Sequence, residues 1–468
     1  MNFASAIFWQ HLGVCVLSAF FVLVILRRFQ PTWVQPVGKI FLALTGIVLL
    51  VSESLVTLLS FTWVVLIGWA AVWVSSSRSR VFANFFVPLV LIQLAPLVYF
   101  KYWSFFITSV FGLRESMPSV LIPMGLSFYT FQTISFCLDS RREDFERPRF
   151  LDYWNFSSFF PQIVAGPIER RSHLLPQIEN FKFSIHKLDI DPALRWIILG
   201  LFFKMALADN LGAIFNDLRI NSENAYQVWL EAIVFSFRIY FDFAGYSLVA
   251  LGLGRLFGIK LTLNFLSPYC SRDIKEFWRR WHVTLSSWLR DYVYIPLGGN
   301  RRGSWIVNII MVFVVSGIWH GAGWGFIIWG GLHGIGVAAI SLKKSWKLPR
   351  VIGILTTFVF VTFCWIFFYE REMDLMFGKA LSICDFRNYG VNNMSGILGA
   401  FGGSSDVVLF LLITGLAGIV LLIEGWGSWQ DEREGYVILK KTGPQVVQIF
   451  SIVFLAPMTQ SGFIYFNF

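Results

Sequence analysis

The chain has 468 residues, 56 % of them hydrophobic and 14 % charged, with a net charge of +10 and a mean hydropathy of +0.64. Soluble chains of this size carry about 25 % charged residues, so that class is excluded. Continuous apolar runs, rather than alternating segments of about ten residues, exclude a β-barrel and predict an all-α polytopic membrane protein.

In chain order the runs predict spanning helices near 5–26, 38–58, 62–75, 82–110, 118–138, 194–216, 226–254, 304–340, 351–369, 406–426 and 446–465. The first exceeds a signal h-region and lacks a basic n-region, so it reads as a retained helix. Arg27 and Arg28 place its end in the cytoplasm under the positive-inside rule. Lys440 and Lys441 do the same for the entry to the last helix, so that Pro444–Phe468, about one span long, emerges outside. The 20 Trp and 50 Phe suit interfacial belts, and the cationic loops suit anionic headgroups of membrane lipids. Nothing resembles a nucleic-acid module. Five scattered Cys without C-x-x-C spacing suggest neither a disulfide framework nor a zinc site, and no metal is expected.

Two stretches break this pattern. Residues 141–190 are polar around an apolar piece, Asn155–Gly166, too short to cross. Residues 255–303 mix aromatic and cationic side chains, as interfacial or re-entrant helices do. With no internal repeat, 1–468 reads as a single membrane domain.

The tract 304–340 is far longer than the ~20 residues of one span and reads as two pieces, broken at the glycines after His320. An imidazole so deep in an apolar run marks a functional site or a bond between helices. Upstream, Phe277-Trp278-Arg279-Arg280-Trp281-His282 continues to Arg290-Asp291-Tyr292. Helical spacing puts Trp278 and His282 on one face. Arg279, Arg280 and Arg290 suit an anion such as coenzyme phosphates, or lipid phosphates at an interface. Tyr294–Gly303 follows as a turn whose adjacent Gly298 and Gly299 permit positive φ. Asp242, among Ile239, Tyr240, Phe241 and Phe243, is an intramembrane carboxylate: a functional candidate, or one partner of an internal ion pair with an arginine.

The run Phe277–Gly303, followed by Ser316-Gly317-Ile318-Trp319-His320-Gly321-Ala322 and Trp329-Gly330-Gly331-Leu332-His333-Gly334, resembles the membrane-bound O-acyltransferases. It is most similar to the bacterial branch of alginate O-acetyltransferase membrane subunits and D-alanyl-lipoteichoic acid transporters. Pro123–Gln132, Phe160–Ile168 and Tyr240–Ser247 agree in the same order, and the resemblance is strong over 95–340. Phe136-Cys137-Leu138-Asp139-Ser140-Arg141-Arg142 departs from the relatives' Tyr-x-Ile-Asp-Val-Tyr-Arg, which leaves the substrate branch open.

The resemblance implies a bundle of about 11–13 helices around a central tunnel, with His320 as the central histidine and His282 as the second. His333 occupies a position read as structural. A buried imidazole stays neutral and able to take a proton, so His320 is the expected base and His282 the group that orients or stabilises developing charge. Trp278, Arg279, Arg280, Arg290, Trp319 and Asp242 are the candidate substrate-binding residues. The aromatic C-terminus, Ser461-Gly462-Phe463-Ile464-Tyr465-Phe466-Asn467-Phe468, resembles a motif whose tyrosine receives the acyl group and relays it; the other reading is a belt anchor at a helix end.

The function implied is O-acetylation of an exported polysaccharide such as alginate, in the bacterial inner membrane. The donor would be acetyl-CoA or another acyl thioester, no bound cofactor is implied, and the partner would be a periplasmic SGNH-type acetyltransferase. D-alanyl transfer to teichoic acid and acetylation of peptidoglycan or cellulose are the alternatives. A transporter without acyl chemistry also places histidines and broken helices at mid-membrane.

Overall fold

A computed structural model describes residues 3–75, 84–113, 121–142, 146–163, 166–182, 190–220, 224–342, 348–390, 404–430, 435–457 and 462–464. The chain is an all-α polytopic membrane protein: among the described residues there is no strand, and nine helices are long and apolar enough to cross a membrane. It divides into two compact units, Met1–Ile197 with Tyr246–Leu263, and Ile198–Gly245 with Asn264–Phe468.

In the first unit, α1 (Ala6–Phe29) starts where the Ser5 hydroxyl accepts the Ile7 amide and ends on Arg27 and Arg28, cations suited to the negative end of a helix dipole. α2 (Val34–Glu53) and α3 (Leu55–Ser75) meet at Ser54, which is extended and accepts the Thr57 amide on its hydroxyl at 3.0 Å. The break expected between 58 and 62 therefore falls earlier, because one capping serine interrupts a run that hydropathy reads as continuous. α4 (Phe86–Val110) follows.

The helix expected over 118–138 is α5 (Leu126–Arg142). It begins after Gly125, at φ +71°, where a Cβ would collide with the Ile163 carbonyl. It has 17 residues, contains buried Gln132, Thr133 and Ser135, and ends on Asp139, Arg141 and Arg142, so it is too short and too polar to count among the nine spans. Short helices α6 (Phe150–Ser158) and α7 (Phe160–Ile163) lie in the stretch too short to cross, and α8 (Arg171–Glu179) follows. Buried polar groups tie these helices together. Lys39 pairs with Asp152 at 2.5 Å, and Gln93 donates to Thr133 Oγ1 at 2.8 Å and the Val64 carbonyl at 3.0 Å.

α9 (Ile190–Arg219) contains a π-helical turn at Phe202–Ala208, and α10 (Ala225–Leu256) is the longest helix described. The second unit continues with two seven-residue helices, α11 (Ile274–Arg280) and α12 (Val283–Leu289), in the stretch expected to be interfacial or re-entrant. The 304–340 tract is two helices, α13 (Trp305–His320) and α14 (Trp324–Leu342), separated at Gly321–Gly323. They pack closely: a Cβ on Gly317 would collide with the Phe326 carbonyl, and one on Gly330 with that of Phe313. α15 (Arg350–Tyr369), α16 (Met373–Cys384) and α17 (Ser404–Gln430) complete the apolar series.

The last helix, α18 (Thr442–Leu455), is shorter than the expected 446–465. Pro457 forces Ala456 out of the helical region, to ψ 124°. Fourteen residues reach only ~21 Å of a ~30 Å slab, so the straight-span argument for an outer Tyr465 fails. Tyr465 itself lies outside the described residues.

Candidate active site

His282 is held by its backbone before its ring is considered. α11 ends at Arg280, Trp281 is extended, and His282 takes left-handed dihedrals (φ +45°, ψ 53°) at the start of α12. A non-glycine residue there costs about 1–3 kcal/mol and persists only where its surroundings impose it. Here the Asn264–Leu266 loop imposes it: Val283 donates to the Asn264 carbonyl at 3.0 Å and Leu266 to the Arg280 carbonyl at 2.9 Å. The turn also overturns the shared helix face expected for Trp278 and His282, since no single helix contains both.

Asn264 then sets the tautomer of His282. Its Oδ1 accepts the Thr284 amide at 3.2 Å and the Thr284 hydroxyl at 2.9 Å, which fixes it as the oxygen. His282 Nδ1, 3.2 Å from the same atom, must donate. The lone pair therefore sits on Nε2 in the neutral ring. His282 is fully buried, and that burial lowers its imidazole pKa below the ordinary range.

His320 is the last residue of α13 and is 2 % exposed. Trp319 links the two candidate histidines, with ring centroids 5.8 Å from His282 and 4.8 Å from His320. Trp329 and Phe368 close on His320 at 5.1 and 5.3 Å. His333 stands beyond Trp329 at 4.8 Å, and its Nδ1 accepts the Trp278 indole N–H at 3.2 Å. His333 thus anchors a neighbouring side chain, as a structural residue does.

Trp278 also faces a cavity of about 700 Å³ between α11, α12, α13 and α14. Exposed Arg279 and Arg290 line it together with Lys275 and buried Ser316. Ser316 lies one turn before His320 on the same helix face. Neither candidate histidine lines this cavity. Arg280 is absent from the lining too: it pairs with Glu276 at 2.8 Å and donates to the Ser428 hydroxyl at 2.7 Å.

Asp242 is 2 % exposed and pairs with a lysine, not with the expected arginine. Lys204 Nζ is 2.8 Å from both Asp242 Oδ1 and Asp209 Oδ1, and Asp242 Oδ2 accepts the Ile464 amide at 2.6 Å. The structure thus brings His282, Trp319 and His320 into one ring contact series and puts Trp278, Arg279 and Arg290 around the cavity. Asn264, Lys275, Ser316 and Lys204 were not singled out from the sequence. Two carried a signal: Ser316 precedes His320 by one turn, and Lys204 is the single charge in the apolar run 196–208.

The profile of the membrane-bound O-acyltransferase family matches residues 22–368, and the chain belongs to that family. It is therefore a membrane O-acyltransferase, which decides against a transporter without acyl chemistry. It is 33 % identical over 427 residues to the peptidoglycan O-acetyltransferase of Helicobacter pylori, covering 79 % of this chain and 80 % of that one. It is 35 % identical over 321 residues to the probable alginate O-acetylase of Azotobacter vinelandii, covering 65 % and 64 %. The match to the teichoic acid D-alanyltransferase of Streptococcus thermophilus is 26 % identical and covers 81 % and 97 %.

Proposed function

We propose that this chain takes an acetyl group from a cytoplasmic thioester, acetyl-CoA, and delivers it across the bacterial inner membrane for O-acetylation of an exported envelope polysaccharide. The observation that carries this reading is one cavity lined both by exposed Arg279 and Arg290 and by buried Ser316, one helical turn from His320. Its volume suits a small organic ligand, and guanidinium groups hold phosphates bidentately. The coenzyme phosphates bind Arg279, Arg290 and Lys275, and the thioester points towards the Ser316 side.

In the transfer step the phenol oxygen of Tyr465 attacks the thioester carbonyl. The C–O bond forms as the C–S bond breaks. His320 takes the phenolic proton and returns it to the departing thiolate, leaving free thiol and an acyl ester. General-base help of this kind supplies about 10²–10⁴-fold. His282, with Nδ1–H on Asn264, orients the reacting groups through Nε2 and Trp319. A periplasmic SGNH-type acetyltransferase then exchanges the ester onto a polysaccharide hydroxyl, which regenerates the tyrosine.

The Helicobacter pylori and Azotobacter vinelandii relatives, each above 30 % identity, carry names of O-acetylating enzymes, which favours acetyl over D-alanyl. The longer match to the Helicobacter pylori protein favours peptidoglycan as a second acceptor reading beside alginate. Tyr465→Phe is expected to insert normally yet stop acetyl export, scored by ester-linked acetate on the polymer. Normal acetylation by that variant would remove the relay.

A further inference from the structure

Asp242 does not face the cavity; a different task is visible in its contacts. We propose that Asp242 is a positioning residue, whose carboxylate clamps the C-terminal tail through the backbone amide of Ile464. The catalytic half of this inference rests on the reading of Tyr465 as acyl acceptor; the clamp itself does not.

The cradle is assembled from α9 and α10 within the second unit. The π-helical turn Phe202–Ala208 carries Lys204, and Gly245 lets α10 approach that turn, since a Cβ there would lie 2.8 Å from the Gly200 carbonyl and 3.1 Å from the Lys204 amide. Lys204 then bridges Asp209 and Asp242 at 2.8 Å each, all three nearly fully buried. Charges so placed are retained only where they are paired and hydrogen-bonded. Asp242 Oδ1 meets Lys204, and its Oδ2 accepts the Ile464 amide at 2.6 Å, a charge-assisted bond.

The neighbouring contacts agree. Asn210 donates to the Leu455 carbonyl at 2.8 Å, at the end of α18, and Lys204 reaches the Gly462 carbonyl at 3.5 Å. Phe463 and Ile464 are buried, which a tail anchored in lipid does not require. Phe463 meets Phe243 edge-on at 5.6 Å, and Phe243 meets the His282 ring at 4.7 Å. The backbone bond therefore fixes Ile464 next to Phe463, whose ring is two ring contacts from one candidate histidine. Because a main-chain amide is the donor, the clamp reads the path of the tail and not the side chain at 464.

Two variants of the full chain in detergent test this. Asp242→Asn is expected to raise hydrogen exchange at the Ile464 amide about tenfold or more, read by mass spectrometry of the C-terminal peptide. Ile464→Pro removes the donor and leaves every buried charge in place, so it keeps the test open should Asp242→Asn fail to fold. It is expected to lower kcat for acyl transfer about tenfold or more, with the donor KM and the melting temperature unchanged. A role confined to stability would move the melting temperature instead. Unprotected exchange at Ile464 in the native chain would overturn the clamp, and a native kcat in Ile464→Pro would overturn its role in positioning the tail for transfer. If Tyr465→Phe transfers normally while Ile464 exchanges slowly, the relay is lost and the clamp stands as a tail-docking site.

Discussion

The two units bury polar residues to opposite ends. In the first, buried polar groups join one helix to another: Lys39 with Asp152, Gln93 with Thr133, Gln132 with the Phe156 carbonyl. These bonds fasten helices whose apolar faces alone specify no register. In the second, Asn264 fixes a tautomer, Asp242 holds a chain end, and exposed cations line a cavity together with Ser316, one turn before His320. Burial of a polar side chain is therefore no sign of chemistry by itself. What distinguishes the second unit is that its bonds leave a particular atom, such as His282 Nε2, equipped with a lone pair.

That contrast breaks most visibly on the Lys39–Asp152 pair. Removing one partner of a buried ion pair costs about 3–5 kcal/mol. Lys39→Met is therefore expected to lower the detergent melting temperature steeply, while kcat per folded molecule stays native. A fall in kcat with unchanged stability would erase the distinction between the units. Asn264→Leu sharpens the other side. It leaves the His282 ring free to adopt the wrong tautomer, at a cost of about 1–3 kcal/mol in transition-state stabilisation, about 5- to 150-fold in kcat. Rescue by Asn264→Gln or Asn264→Asp, measured as acyl transfer rate, would tie the loss to the accepting oxygen.

The smallest effect belongs to His173 in the first unit. Its Nδ1 lies 2.6 Å from Glu169 Oε2, and that hydrogen bond raises the imidazole pKa above its ordinary value. A raised histidine stabilises the fold fully below about pH 6.5, and the contribution disappears as pH climbs through the folded value. The ring is 44 % exposed, so solvent screening holds the contribution below about 1 kcal/mol. Between pH 6 and 8 the native chain is expected to lose slightly more melting temperature than His173→Gln; identical slopes would contradict the pairing.

Much of this was legible in the sequence where the physics is local. The 304–340 tract was too long for one helix and carried its own glycine break, and residues 255–303 were too polar to span, so both were read correctly. The α2–α3 junction was misplaced because Ser54 caps through one hydroxyl, which a hydropathy window averages away. The end of α18 was legible through Pro457 but was overridden by span length. The His282 turn was not legible: nothing in Trp281-His282-Val283 announces a left-handed histidine, since the bonds that impose it come from Asn264, eighteen residues away. Lys204 gave the same signal as Asp242, a lone charge in an apolar run, and only their pairing explains both.

The central claim is that His320 takes the proton as Tyr465 accepts the acyl group, and intact-mass analysis of the C-terminal peptide tests it most directly. Inside-out membranes supplied with isotopically labelled acetyl-CoA are expected to place the label on Tyr465 in the native chain. His320→Ala, present at the same membrane abundance, is expected to place none. Label on Tyr465 at the native rate in His320→Ala would contradict the account.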